Sequence, residues 1–342
     1  MKNAKSVSWQ FLGAGQVVLA LVFAASAITA KAQIVASESP SFFGTLSQNN
    51  SAVTVNGATA CSPTSVINGL NFLNGVNGGS IFTHAPAAYG DVNSLATSSG
   101  TTGVGTSYGT GVTGMTSYFG SGGFNPSNVP ILISGQYAYN SWATGLPANS
   151  APLLSFAKAA PSASFLGNAL NANDAVELAL WWGVYDPSNN SFTPTPGSGS
   201  HEIDLYSLNL NASGNGSANI IVPEVGTGVS AANATAQNLS ATIQTVTFNG
   251  TGGGGVNGNY LYLTYGTSND IQAGTPGETD PSGDTRSPLD AVAAAPAFNP
   301  SFPTALIVGD YVEAVPEPST YFLSGLGLMV LCVMAARRKA KI

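Results

Sequence analysis

The chain has 342 residues, enough for one large domain or two small ones. Only 7% of the residues are charged, and nine Lys and Arg residues against sixteen Asp and Glu residues give a formal net charge of −7. All basic residues except Lys158 and Arg286 lie near the two ends. The acidic middle therefore lacks a basic surface, which argues against nucleic acid and anionic lipid as partners.

The first 32 residues are predicted to be a secretory signal peptide. Lys2 and Lys5 form the positive region, the apolar run 17–27 follows, and Ala30-Lys31-Ala32 has the small-x-small pattern of a cleavage site. The alternative is an uncleaved membrane anchor. Export predicts an oxidising compartment.

The exported domain is predicted to cover residues 33–265. A helix is predicted over Pro63–Asn74, with its apolar face formed by Val66, Ile67, Leu70 and Leu73. Residues 91–128 are rich in glycine and are predicted to be a long loop or irregular strands.

Alternating apolar residues predict a run of antiparallel strands after this insertion. The predicted strands are 175–185, 201–210, 218–222, 241–248, 259–265 and 305–312. One early helix followed by many strands predicts an α+β fold in which the helix packs on the sheet.

A cysteine directly before the predicted helix is the main candidate for chemistry. The other cysteine, Cys332, lies in a C-terminal apolar segment, so a bridge between Cys61 and Cys332 is not expected. Pro63 in the first helical turn would place Cys61 at or just before the N-cap, where helix amides stabilise a thiolate and a developing oxyanion. The alternative is a small buried apolar residue at a helix start.

A cysteine nucleophile needs a base, and the chain has only two histidines, His84 and His201. His84 lies in a predicted loop without recognisable context. His201 opens a predicted strand and is the better candidate; the alternative is a polar residue at a strand end.

The segment Cys61-x-Pro63-Thr64-Ser65-x-x-Asn68-x-Leu70-x-x-Leu73 resembles the nucleophile helix of papain-like cysteine peptidases of the bacteriocin-processing type. Gly-Ser-His201 resembles the histidine segment of that family. The resemblance covers roughly residues 50–230 and implies a papain-like α+β fold. It also implies four roles: nucleophile Cys61, base His201, orienting acid Glu224, and oxyanion-hole residue Asn56. Ser62, Glu224 and Asn56 stand where the family usually has Gly, Asp and Gln.

Residues 266–314 are predicted to be a Pro/Gly/Asp-rich segment followed by a final strand. Its acidic group could bind calcium, since oxygen ligands in a loop suit that ion, but the spacing fits no EF-hand-like pattern and favours a solvated loop. The residues of this group are Glu278, Asp280, Asp284 and Asp290. No metal or other cofactor is predicted.

Residues 315–342 resemble a PEP-CTERM sorting signal. Pro316-Glu317-Pro318 precedes an apolar transmembrane segment at 321–336 and a basic tail, which predicts an inner-membrane precursor with a cytoplasmic C-terminus. The resemblance implies recognition by an exosortase, in a bacterium that makes extracellular polysaccharide, and a final place at the cell surface. The alternative is a plain membrane anchor.

These features allow three functional hypotheses. The first is an exported cysteine peptidase or amide hydrolase acting on a peptide substrate. The second is a non-catalytic surface or matrix protein that keeps the papain-like fold. The third is an adhesion module that binds polysaccharide.

Overall fold

The core of the protein is a closed barrel of six antiparallel strands, so the predicted papain-like α+β fold is wrong. In ring order the strands are β4, β6, β7, β8, β9 and β10. The computed structural model describes residues 33–55, 59–79, 88–103, 105–120, 131–139, 145–146, 154–194, 200–223, 230–249, 255–265 and 304–315.

The described residues form four α-helices and ten strands. The helices are α1 (Cys61–Val76), α2 (Tyr89–Ser98), α3 (Tyr108–Gly120) and α4 (Ala163–Ala172). The strands are β1 (Ile34–Ser37), β2 (Leu132–Tyr137), β3 (Leu154–Lys158), β4 (Ala175–Asp186), β5 (Ser191–Pro194), β6 (Ser200–Leu210), β7 (Gly216–Val222), β8 (Gln237–Asn249), β9 (Asn257–Tyr265) and β10 (Thr304–Ala314).

The last strand closes the barrel. Strand β10 pairs with β9 through residues 304–306 and with β4 through residues 305–313, so the sheet returns to its own first long strand. Strand β2 joins the later half of β10 and carries β3 as a parallel neighbour. Closure removes the free edges that an open sheet of these strands would present.

The interior of the barrel is filled by the alternating apolar residues from which the strands were predicted. Leu178, Leu180, Ile203 and Leu205 belong to one buried cluster, and α4 adds Leu170. Since successive side chains of a strand point to opposite faces, the residues between these apolar positions lie on the outer wall.

Helix α1 lies against this outer wall, on strands β4, β6 and β10. Its apolar residues Val66, Ile67, Leu70 and Leu73 are buried together with residues of α2 and α3 in a second cluster. The predicted helix and its packing on the 175–185 and 201–210 strands are therefore confirmed.

The glycine-rich segment was predicted wrongly as a loop or irregular strands. Its described part contains most of α2 and all of α3, which pack on each other. Val112, Met115 and Tyr118 recur at helical spacing and are buried, while the glycines between them allow close approach; a Cβ on Gly114 would lie 2.1 Å from the Ser99 Oγ atom.

Among the helices of the described residues, none has the length and apolar character needed to cross a bilayer. The predicted signal peptide (1–32), the acidic loop at 278–290 and the predicted transmembrane segment at 321–336 lie outside the described residues.

Candidate functional site: a buried carboxyl cluster beneath α1

Cys61 is the first residue of α1 and is partly buried. The N-cap is Ala60, whose carbonyl accepts hydrogen bonds from the backbone N–H of Thr64 at 3.0 Å and from its hydroxyl at 2.7 Å. Cys61 is thus inside the first turn and not at or before the N-cap as predicted. The predicted oxyanion-hole residue Asn56 lies outside the described residues.

His201 points into the barrel. It pairs with Leu180 across β4 and β6, and its ring stacks on Trp182 with centroids 5.9 Å apart. The side chain is only 2% exposed. The predicted orienting acid Glu224 lies outside the described residues.

The structure therefore does not bring Cys61 and His201 together. Paired residues of neighbouring strands share a face, so His201 and Leu180 lie inside, while Glu202 and its partner Ala179 lie outside. Helix α1 contacts the outer face, where the Ser65 hydroxyl donates to the Glu202 carbonyl at 3.0 Å. Helix α1, which begins with Cys61, and the His201 ring thus lie on opposite faces of the barrel wall.

Beneath α1 the outer wall carries four carboxyl groups. Glu177 of β4 pairs with Tyr311 of β10 on one side and with Asp204 of β6 on the other. Glu202 and Glu313 lie diagonally across from it on the same face. We call Glu177, Glu202, Asp204 and Glu313 the carboxyl cluster; each is at most 5% exposed.

Small residues make room for the cluster. Ala175 and Ala179 flank Glu177 along β4, and Gly69 of α1 lies over it. A Cβ atom on Gly69 would lie 2.2 Å from Glu177 Oε1 and 3.1 Å from the Ala175 Cβ. The helix can approach the carboxyl group this closely only because residue 69 has no side chain.

The carboxyl oxygens have few donors. Among the described residues no other side chain donates to the oxygens of Asp204, and those of Glu177 and Glu313 have only each other and the backbone of Glu313 within reach. Glu202 receives one hydrogen bond, from the Ser62 hydroxyl of α1. The nearby Tyr311 hydroxyl donates elsewhere, to the Tyr108 carbonyl at 3.0 Å.

No cation of the described residues neutralises the cluster. Lys158 is the one Lys or Arg in the described ranges, and it lies exposed at the end of β3. In the same ranges no group of three or more His, Cys, Asp or Glu side chains is arranged to hold a metal ion.

Burial therefore keeps these acids protonated more strongly than usual. It raises the pKa of Glu177, Glu202 and Asp204 well above the ordinary values, and the neighbouring carboxyl groups raise those pKa values further. The pKa of Glu313 is raised to about 7, again mainly by burial. Glu177 and Glu313 lie within hydrogen-bonding reach of each other.

Sequence reasoning missed this cluster, although a signal was present. In a chain with sixteen acidic residues, Glu177, Glu202, Asp204 and Glu313 all lie inside apolar strand segments. Strand alternation placed them on the face away from the core. That face would be solvated if α1 did not cover it, and the pattern within each strand does not report the covering helix.

Comparison with known proteins identifies the C-terminal end of the chain. No curated protein and no solved structure matches the chain. Residues 314–339 match the PEP-CTERM protein-sorting motif. The chain is therefore an exported, surface-sorted protein whose sorting motif marks it as an exosortase substrate.

Proposed function

We propose that this exported protein acts at the cell surface or in the extracellular matrix without a cysteine–histidine mechanism. The observation that carries the proposal is the position of His201 inside the barrel, stacked on Trp182, while α1 and Cys61 lie on the outer wall. A general base must come within hydrogen-bond reach of its nucleophile, at roughly 3 Å. The sequence hypothesis of a cysteine peptidase or amide hydrolase loses its support with this geometry.

The reactivity of the Cys61 thiol tests this proposal. In a Cys332→Ser chain, a thiol-directed alkylating reagent should modify Cys61 slowly at pH 5 and faster towards pH 9, as expected for a thiol that no imidazolium activates. A His201→Ala substitution in the same background should leave the alkylation rate at pH 5 unchanged. Rapid alkylation at pH 5 that His201→Ala abolishes would contradict the proposal.

A second candidate function is binding of a neutral polysaccharide by the outer wall of β7, β8 and β9. Uncharged polar side chains line this wall: exposed Thr242 lies between exposed Ser217 and half-buried Thr264, and exposed Ser240 lies beside half-buried Asn219. Such groups offer hydrogen bonds to sugar hydroxyls without the cost of desolvating a charge.

Affinity electrophoresis in gels containing a neutral polysaccharide would test this second candidate. Ser240→Ala combined with Thr242→Ala should abolish any retardation of the native chain. Thr193→Ala, an exposed substitution on β5, serves as the matched control and should leave it unchanged. Equal mobility of the native chain with and without polysaccharide would reject this candidate.

A further inference from the structure

The helix that covers the carboxyl cluster carries no charge of its own. Between Ser62 and Val76 α1 contains no Asp, Glu, Lys, Arg or His, and Cys61 is its only titratable residue. Gly69 nevertheless lies directly over the Glu177 carboxyl group. Burying an ionised carboxylate against an uncharged surface without a partner is strongly unfavourable, so this contact requires a neutral group.

The other titratable groups around the cluster are acids and phenols as well. Burial also raises the pKa of the Tyr108 and Tyr311 hydroxyl groups well above the usual value. It raises the pKa of Glu38 to about 10 and the pKa of Asp174 to about 6. From the elements packed on this face they are Glu38 after β1, Asp174 before β4, Tyr206 on β6, Tyr311 on β10 and Tyr108 on α3. None can supply a positive charge.

Two further acids and His201 also place no positive charge beside the carboxyl cluster. Asp310 of β10 points to the other face, together with Val312, and one of its oxygens accepts the Gln136 backbone N–H at 2.8 Å. Asp91 of α2 accepts the Tyr118 hydroxyl at 2.6 Å. His201 lies inside the barrel, stacked on Trp182. Within the part of the chain that the structure describes, the carboxyl cluster thus faces groups that are neutral or negative and no cation.

The central pair of the cluster requires a proton. Ionised carboxylates only accept hydrogen bonds. Glu177 and Glu313 lie within hydrogen-bonding reach of each other, and no other side chain of the described residues donates to their oxygens. Both side chains are 0% exposed, so bulk solvent does not reach them. At least one of the two carboxyl groups must carry a proton that the other accepts.

We propose that the carboxyl cluster is a proton-dependent lock that holds α1 on the barrel: the acids are neutral in the closed protein, and their ionisation releases the helix. The proposed surface function does not depend on this lock. Each carboxyl group that stays protonated in the folded chain but ionises in the unfolded chain makes folding take up one proton.

The raised pKa values determine whether the stability of the folded chain rises or falls with pH. A raised pKa in the folded state gives stability that is fully present below the unfolded pKa, near 4.5, and is lost as the pH rises through the folded pKa. For Glu313 this window runs from the ordinary value of 4.5 to about 7. The pKa values of Glu177, Glu202 and Asp204 are raised as well, so these groups contribute a loss of stability of the same sign as the pH rises.

Two measurements on the full chain between pH 5 and pH 9 test the lock. In urea denaturation, the unfolding equilibrium constant should rise at least about tenfold per pH unit, since each retained proton contributes one factor of ten. Hydrogen exchange, corrected for the intrinsic effect of pH on amide exchange, should show that peptides from 62–76 lose protection at lower pH than peptides from β7 and β8.

Amide variants and one matched control sharpen the test. Glu177→Gln and Glu313→Gln keep the shape of a neutral carboxyl group but cannot ionise. In each variant the rise of the unfolding equilibrium constant with pH should be smaller, by a factor of up to about ten per pH unit, and the amides of α1 should stay protected from exchange at pH 8. Asp186→Asn removes a partly exposed carboxylate whose pKa is lowered by hydrogen bonds from Ser188, and should leave the dependence of stability on pH unchanged.

Two results would overturn the proposal. One is a stability of the native chain that stays flat or rises from pH 5 to pH 9. The other is a stability that EDTA lowers and added Ca²⁺ restores, because a bound cation and not protons would then neutralise the cluster. The pH profile of the native chain decides the question even if one amide variant fails to fold.

Discussion

Gly69 of α1 and Glu177 of β4 meet so closely that the helix residue cannot carry a side chain: a Cβ atom at position 69 would lie 2.2 Å from Glu177 Oε1. This contact joins the packing of the helix to the protonation of the cluster, because the uncharged helix covers a carboxyl group that is 0% exposed. The relationship also explains a glycine in the middle of a helix, where it usually costs about 1 kcal/mol relative to alanine.

Gly69→Ala should therefore destabilise the protein despite the better helix propensity of alanine. We expect a loss of about 1–3 kcal/mol in the free energy of unfolding, as is typical of overpacking in a buried site. Gly90→Ala in α2, where a Cβ would have nothing within 4 Å, is the matched control and should be neutral or slightly stabilising. Urea denaturation of both variants measures the difference, and equal effects at the two positions would contradict the packing described for α1.

Leu70→Ala should cost about 2–5 kcal/mol of stability, because it deletes a side chain that is 0% exposed between α1 and the barrel. Val35→Ala on β1 removes an apolar side chain that is 61% exposed, and should change stability by less than about 0.5 kcal/mol. A small effect at Leu70 would mean that α1 does not pack on the barrel in solution.

Glu38→Gln should make the protein less sensitive to alkaline pH. Burial, reinforced by the charge of Asp174, raises the pKa of Glu38 to about 10, so the native chain loses stability as pH rises from 4.5 towards that value. Glutamine cannot ionise in the unfolded state. The variant should gain little stability relative to the native chain at pH 4.5, and its gain should grow by up to about 4 kcal/mol between pH 5 and pH 8. Urea denaturation at these three pH values provides the test; an unchanged difference across the range would argue against a protonated Glu38.

The sorted protein should lose its C-terminal end by cleavage near Pro316-Glu317-Pro318. Residues 314–339 match a protein-sorting motif, which implies processing at the membrane. Mass spectrometry of surface-located protein from the native host should find no peptide containing Lys341-Ile342. Replacing Glu317 with Ala should block the cleavage and retain that peptide. Recovery of the intact end from native surface protein would count against the processing step.

The strands and α1 could be predicted because their information is local. Leu178, Leu180 and Trp182 alternate along β4, and Val66, Ile67 and Leu70 recur at helical spacing along α1. Helices α2 and α3 were missed because glycines interrupt the helical spacing of apolar residues in this segment. In α3, Gly111 and Gly114 let the helix pack closely against Tyr311 and Ser99.

Barrel closure and the carboxyl cluster could not be predicted from such patterns. Closure depends on the pairing of β4 with β10, strands that lie far apart in the chain, and alternation within each strand is the same in an open sheet and in a barrel. Alternation also predicts that Glu177 faces solvent. It is buried because α1 covers that face, which is a tertiary contact. The same alternation places His201 among the inward residues, and the resemblance to a peptidase did not take that face into account.

The distance from the Cys61 sulfur to the His201 ring in a crystal structure would show directly whether these two groups can act together. We expect the barrel wall to separate the two groups, with the sulfur more than about 10 Å from either ring nitrogen, well beyond hydrogen-bond reach. A sulfur within about 4 Å of a ring nitrogen, in the geometry of a nucleophile and its base, would contradict the proposed function without a cysteine–histidine mechanism.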